Sequence, residues 1–135
     1  MSKIKLFRAV INGHLDQRRT ITDAVLPSKT PFVVRQIKQI VFTQQAVDRQ
    51  TPIGNHFHTL ESKRYEFFVV MAGKCRFIYR NPKNDPQEVI MNKGDACLIP
   101  PGCTHTFIAL ENDATLWGLS NMAYEDEHSI PDKLA

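Results

Sequence analysis

The chain sustains no helical pattern over any useful length. Its apolar residues come in short runs of Val, Ile, Phe and Tyr, most of them closed by Gly, Pro, Asn or Asp. Lys3–Val10 alternates loosely, Pro31–Phe42 reads PFVVRQIKQIVF, and Gly54–Thr59 follows a proline. Tyr65–Ala72 (YEFFVVMA) and Lys74–Arg80 (KCRFIYR) flank Gly73 and read as a hairpin. After the loop Asn81–Gln87 come Glu88–Met91, Ala96–Ile99, His105–Leu110 and Ala114–Leu119. Ile21–Leu26 has the composition for a turn of helix, and the tail beyond Asn121 is polar and acidic. Many short strands at regular spacing predict an all-β sandwich or barrel. In Tyr65–Ala72 both alternating faces are apolar, as in a strand covered on both sides. In so small a barrel the second cover is expected from another subunit, hence a homodimer.

No repeat or linker divides the 135 residues, so residues 1–135 form one domain with enough chain to bury a core. The net charge of +3 is spread along the chain, and only Arg18-Arg19 and Lys63-Arg64 place positive residues side by side. That excludes the basic footprint of a nucleic-acid binder, while a phosphorylated small molecule would be welcome. No stretch approaches the 18 apolar residues of a membrane span, and Arg8 interrupts any signal-peptide core. Three cysteines, Cys75, Cys97 and Cys103, do not form a disulfide framework. A reducing cytoplasm is the expected compartment.

The chemistry is concentrated in histidines. On a strand, residues i and i+2 share a face, so His56 and His58 enter one pocket together. An exposed pair on a solvated strand is the competing reading. Glu66 opens the next run, with six residues between it and Gly73. Farther on, Gly94-Asp-Ala-Cys-Leu-Ile-Pro100-Pro101-Gly102-Cys-Thr-His105 sets a third histidine just after a Pro-Gly turn. Such a turn aims the residues that follow it.

These two blocks resemble the cupin motifs. The first motif is usually written Gly, five residues, His-x-His, three or four residues, Glu, six residues, Gly. Here it gives His56, His58, Glu66 and Gly73 within residues 54–73. The second is Gly, five residues, Pro-x-Gly, two residues, His, three residues, Asn. Here it gives Gly94, Pro100, Gly102 and His105 within residues 94–109. Gln50 stands where the opening Gly would fall, Ala109 replaces the Asn, and seven residues rather than three or four separate His58 from Glu66. Glu61 is the rival carboxylate, but its neighbours read as loop. The resemblance implies a double-stranded β-helix, or jelly-roll barrel, with His56, His58, Glu66 and His105 as ligands of a divalent metal. Three imidazoles and one carboxylate suit Zn, Fe, Mn or Ni. Cys97 is expected to pack as a small hydrophobe and Cys103 to sit in the turn.

A narrower resemblance is carried by Gly54-Asn55-His56-Phe57-His58, by the run from Pro31 to Ile37, and by Leu119–Asp126. It is to small sugar-nucleotide cupins: the 3,4-ketoisomerases of dTDP-4-keto-6-deoxyhexoses and the C-terminal cupin of capsular-polysaccharide synthesis proteins. This implies an isomerase or epimerase working through an enediol or enediolate, with His56, His58 and His105 as acid and base. A carboxylate at Glu66 favours the metal-binding version. Arg35, Lys38 and Arg64 are candidate partners of the nucleotide diphosphate. Tyr79 or Phe57 could stack on a base or sugar, although both also suit a core. A metal-dependent dioxygenase and a non-catalytic small-ligand-binding cupin remain as alternatives.

Overall fold

In the computed structural model, residues 2–25, 32–123 and 128–135 are described. Leu26, Pro31 and residues 124–126, which entered the sequence reading, lie outside them. The described strands are β1 (Lys5–Arg8), β2 (Val10–Leu15), β3 (Thr20–Val25), β4 (Gln36–Val41), β5 (Ile53–His58), β6 (Glu66–Ala72), β7 (Lys74–Arg80), β8 (Gln87–Asn92), β9 (Asp95–Ile99), β10 (Thr104–Ala109), β11 (Thr115–Ser120) and β12 (Ser129–Pro131). A short helix α1 (Gln44–Asp48) is capped by Thr43, whose side chain accepts from the Ala46 N–H, and a 3-10 turn spans Leu60–Ser62.

Two five-stranded antiparallel sheets face each other, as a jelly roll requires. One runs β1-β9-β6-β11-β4 and the other β12-β5-β10-β7-β8. The core between them is built from inward positions of both sheets: Phe68, Val70 and Leu116 from the first, Phe77, Tyr79 and Phe107 from the second. Phe77 stacks on Phe107 at 4.7 Å between ring centroids, and Phe107 meets Phe68 at 5.1 Å. Contacts of this kind add to plain area burial.

Two expectations are corrected. Tyr65–Ala72 and Lys74–Arg80 are adjacent in sequence but do not pair. β6 bonds to β9 and β11, whereas β7 bonds to β10 and β8. Gly73, at φ 73°, turns the chain from one sheet to the other, and a Cβ there would lie 2.9 Å from the Ala114 Cα. A tight apolar turn therefore marks a corner of the sandwich here, a choice that local sequence does not encode. The segment Ile21–Leu26 is no helix over its described part. Residues 20–25 are β3, paired in register with β2 from Val10↔Val25 to Leu15↔Thr20. Cross-strand pairing overrides a weak local preference.

The second apolar face of β6 also finds its cover. Phe67, Val69 and Met71 are buried with Ala96 and Leu98 against Phe7, Ile11, Ala24, Phe32, Trp117 and Leu119. Ile11 and Ala24 come from the β2–β3 hairpin, so the same chain supplies the layer that was expected from a second subunit. No helix among the described residues is long and apolar enough to cross a membrane.

Candidate active site

Four residues from three strands converge on one point between the sheets. His56 and His58 come from β5, Glu66 opens β6, and His105 lies in β10. His105 pairs directly with His56, so both rings project from the same face. The register then slips: His105 faces His56 but Thr106 faces Gly54, leaving Asn55 as the extra residue of a β-bulge. Gly54 and Asn55 both have positive φ, 109° and 55°. A Cβ on Gly54 would stand 2.5 Å from the His105 carbonyl oxygen, so only glycine allows this approach. The Gly-Asn pair preceding the histidines is thus the device that sets their strand against β10.

The four ligand atoms, one per residue, lie within 4.8 Å of one another. Ring centroids are 4.9 Å apart for His56–His58, 4.8 Å for His56–His105 and 5.8 Å for His58–His105. His58 Nε2 is 2.9 Å and His105 Nε2 3.6 Å from Glu66 Oε1. His105 Nδ1 lies 3.1 Å from the Cys103 carbonyl, which can accept only from an N–H. That contact fixes the tautomer and leaves Nε2 as the lone pair facing the cluster. His58, His105 and Glu66 are buried, whereas His56 is partly exposed and forms the open side.

Burial drives the titration of His56 and His105. It pulls His56 down to about 4, helped by the neighbouring His105 and His58. His105 is lowered as well, again chiefly by burial, against the opposing pull of Glu66. Burial alone would raise the Glu66 carboxyl, but the His58 hydrogen bond and the charges of His105, Lys38 and Arg64 outweigh it and hold Glu66 well below the usual range. The result is a pair of neutral imidazoles beside an ionised carboxylate near neutral pH. With His58 in the same cluster and the second ring nitrogen of His105 anchored, this donor set fits a divalent metal.

The remaining sequence candidates separate. Glu61 is exposed in the 3-10 turn and lies outside the cluster, which takes Glu66 instead. Arg64 is 2% exposed. Its guanidinium donates to the Met122 carbonyl (2.6 Å), Gln36 Oε1 (3.0 Å) and Glu66 Oε2 (3.4 Å), so it holds the carboxylate from behind. Lys38 reaches the same oxygen at 3.5 Å. Arg35 is exposed just before β4, and its backbone N–H donates to the Ser120 carbonyl. Tyr79 is buried in the core, stacked on Phe77, with its hydroxyl donating to Gln87 Oε1. Phe57 is half-buried on the outer side of β5, opposite to its histidine neighbours, beside Leu60 and Pro82. The three thiols are buried and free, with burial pushing Cys75 up to about 12 and Cys103 to about 11.

Sequence reasoning did not anticipate the roles of Gln36 and Gly118. Gln36 braces Arg64, and Gly118 lies opposite Lys38 on β11. A cavity of about 450 Å³, lined by Lys3, Lys5, Phe32, Lys63 and Tyr65 among others, lies on the far side of the β6 sheet from the cluster.

Residues 45–120 match the model of the cupin domain family. No curated protein matches the sequence. Among solved structures, a 3,4-ketoisomerase from Helicobacter canadensis superposes with a TM-score of 0.72 at 19% identity, over 98% of this chain and 92% of the other. A variant of the 3,4-ketoisomerase QdtA from Thermoanaerobacterium thermosaccharolyticum, in complex with TDP-4-keto-6-deoxyglucose, gives 0.70 at 15% identity over 98% and 89%. The 3'-monoepimerase ChmJ from Streptomyces bikiniensis, in complex with dTDP-quinovose, gives 0.70 at 17% identity over 93% and 67%. At these identities the likeness is one of fold.

Proposed function

This chain belongs to the cupin family, and from that premise we propose that it is an isomerase or epimerase of a 4-keto-6-deoxy sugar nucleotide, working by acid–base chemistry at His56, His58 and His105. The observation that carries this reading is the convergence of three imidazoles and a carboxylate on one point, open to solvent on the His56 side. A neutral, partly exposed imidazole backed by two others is equipped to take a proton from a carbon beside a ketone.

In the proposed reaction His56 removes that proton and the C–H electrons move into the carbonyl, giving an enediolate. Return of the proton to the former carbonyl carbon, with transfer of the neighbouring hydroxyl proton to the former carbonyl oxygen, moves the ketone by one position. Protonation of the original carbon from the opposite face inverts it instead. His58 and His105 flank His56, at 4.9 and 4.8 Å between ring centroids, and are the candidate groups to return the proton. Alternatively, His56, His58, Glu66 and His105 would hold a divalent metal, which would polarise the carbonyl and favour charge on its oxygen; the imidazoles would then be ligands in place of the proton-transferring groups.

The test is incubation with dTDP-4-keto-6-deoxyglucose in deuterated buffer, followed by NMR. Product with solvent deuterium at the reacting carbon, lost in His56→Ala, is the expected result. Absence of both turnover and binding across 4-keto-6-deoxy sugar nucleotides overturns the proposal. Oxygen uptake with substrate by an iron-loaded protein would point to the dioxygenase reading, and ligand-dependent stabilisation without product to the binding module.

Two further properties belong to this proposal. Val33, Ile37 and Val41 are exposed on or near the edge strand β4 and support a homodimer, to be checked by sedimentation. The buried free thiols suit a reducing compartment such as the cytoplasm.

A further inference from the structure

Lys38 occupies an unusual place for a lysine. On β4 the positions Gln36, Lys38 and Ile40 are the more buried ones and turn toward the interior, where Ile40 packs on the core. Lys38 therefore runs inward between the sheets, its ammonium 5.3 Å from the centroid of the Phe68 ring and 3.5 Å from Glu66 Oε2. The stem needs space, and β11 supplies it. Gly118 is the residue directly opposite both Lys38 and Phe68 in the sheet. A Cβ at Gly118 would come within 2.8 Å of Phe68 Cε1, 3.1 Å of Lys38 Cε and 3.2 Å of Lys38 Cγ. No left-handed backbone explains this glycine, since its φ is not among the positive ones. What it provides is an open lane along which the lysine lies.

The exposures show what the lane delivers. Glu66 is already met on Oε2 by the buried guanidinium of Arg64. Lys38 is a second cation on the same oxygen, and its side chain is 39% exposed where those of Glu66 and Arg64 are 3% and 2%. Of the two cations on this oxygen, Lys38 is the one that solvent, and therefore a guest, can reach.

We propose that Lys38 is a catalytic residue whose ammonium receives the negative charge that develops on a substrate oxygen beside the histidine cluster, and that Gly118 is the positioning residue that lets it reach there. This rests on the isomerase reading above and adds its oxyanion-binding group. The guest is of the carbonyl class that passes through an enolate or enediolate. Lys38 thus serves the reacting oxygen, in place of the diphosphate role that sequence suggests.

The test uses full-length protein as purified, with oxalate as a planar dianionic mimic of an enediolate. Wild type should bind oxalate, K38M should bind it at least tenfold more weakly, and G118A should share much of that loss. A double-mutant cycle separates positioning from general damage. If Gly118 acts through Lys38, adding G118A to K38M changes oxalate affinity little. With dTDP-4-keto-6-deoxyglucose, K38M should lose about 10²–10³-fold in kcat with a much smaller change in KM, as for removal of an oxyanion donor. Absence of oxalate binding by wild type, unchanged affinity in K38M, or a full G118A loss in the K38M background overturns the inference. If wild type turns over no 4-keto sugar nucleotide while the oxalate cycle holds, the isomerase reading fails and the anion-binding role of Lys38 stands.

Discussion

His58 Nε2 and Glu66 Oε1 stand 2.9 Å apart with both side chains 3% exposed, and Arg64, 2% exposed, meets the other carboxylate oxygen. A buried charge of this kind is stable only because its partners are in place, and removing one leaves the others uncompensated. Glu66→Gln keeps the shape but removes the negative charge that His58, Arg64 and Lys38 face. The expected cost is about 3 kcal/mol in chemical denaturation, with Arg64→Met of similar size. A loss below about 1 kcal/mol for both would mean that solvent screens the pair.

Gly54 should be intolerant of any side chain. Its φ of 109° and the 2.5 Å approach of a Cβ to the His105 oxygen add strain and collision at the same point. Gly54→Ala is expected to destabilise the fold by about 2 kcal/mol or more. It should also part β5 from β10, so that the folded fraction loses the His56–His105 contact. Histidine ring resonances in NMR spectra report both effects. A variant with wild-type stability and unchanged resonances would show that the bulge relaxes freely.

The blocks around His56 and His105 were readable because cupin spacing and strand periodicity agree there. The same two arguments favour Glu66 over Glu61, and the cluster indeed contains Glu66. What sequence missed depends on contacts between distant strands. Gly73 marks a hairpin and a sheet-to-sheet corner with the same local residues, and only the pairing of β6 with β9 and β11 decides between them. Phe67, Val69 and Met71 announce a covered face without saying that the β2–β3 hairpin helps to cover it. Arg64 and Lys38 look alike as surface cations in sequence, yet one is fully enclosed and the other half open, because each is held by residues 28 to 80 positions away.

Stability should fall on mild acidification in protein freed of metal by chelation. An unfolded histidine titrates near 6.5, whereas burial holds folded His56 near 4. Between those values the unfolded chain binds more protons, so stability declines as pH drops through this window and this contribution levels off below about 4. His105, lowered in the same direction, adds to the decline. Glu66 has the depressed carboxylate's dependence: its contribution is present above the ordinary carboxylate range and is lost as pH falls below it. Urea midpoints should therefore drop between pH 7.5 and pH 5, and His56→Asn should flatten that drop. Equal slopes in wild type and variant would place His56 in an ordinary solvated environment.

Metal uptake is the sharpest test of the cluster as a ligand set. Two imidazoles held neutral and a carboxylate held ionised need not release protons to receive a divalent ion near neutral pH, so binding should persist into mildly acidic buffer. A ligand that binds only the folded state raises apparent stability by mass action, about 2.7 kcal/mol at a hundredfold excess over Kd. Chelated protein titrated with Zn, Mn, Ni or ferrous iron should thus gain thermal stability, and elemental mass spectrometry should find near-stoichiometric metal. The double variant His56→Ala/His105→Ala should lose both. Failure of every ion to stabilise wild type would leave the four side chains as an acid–base cluster, with Glu66 orienting His58 rather than ligating a metal.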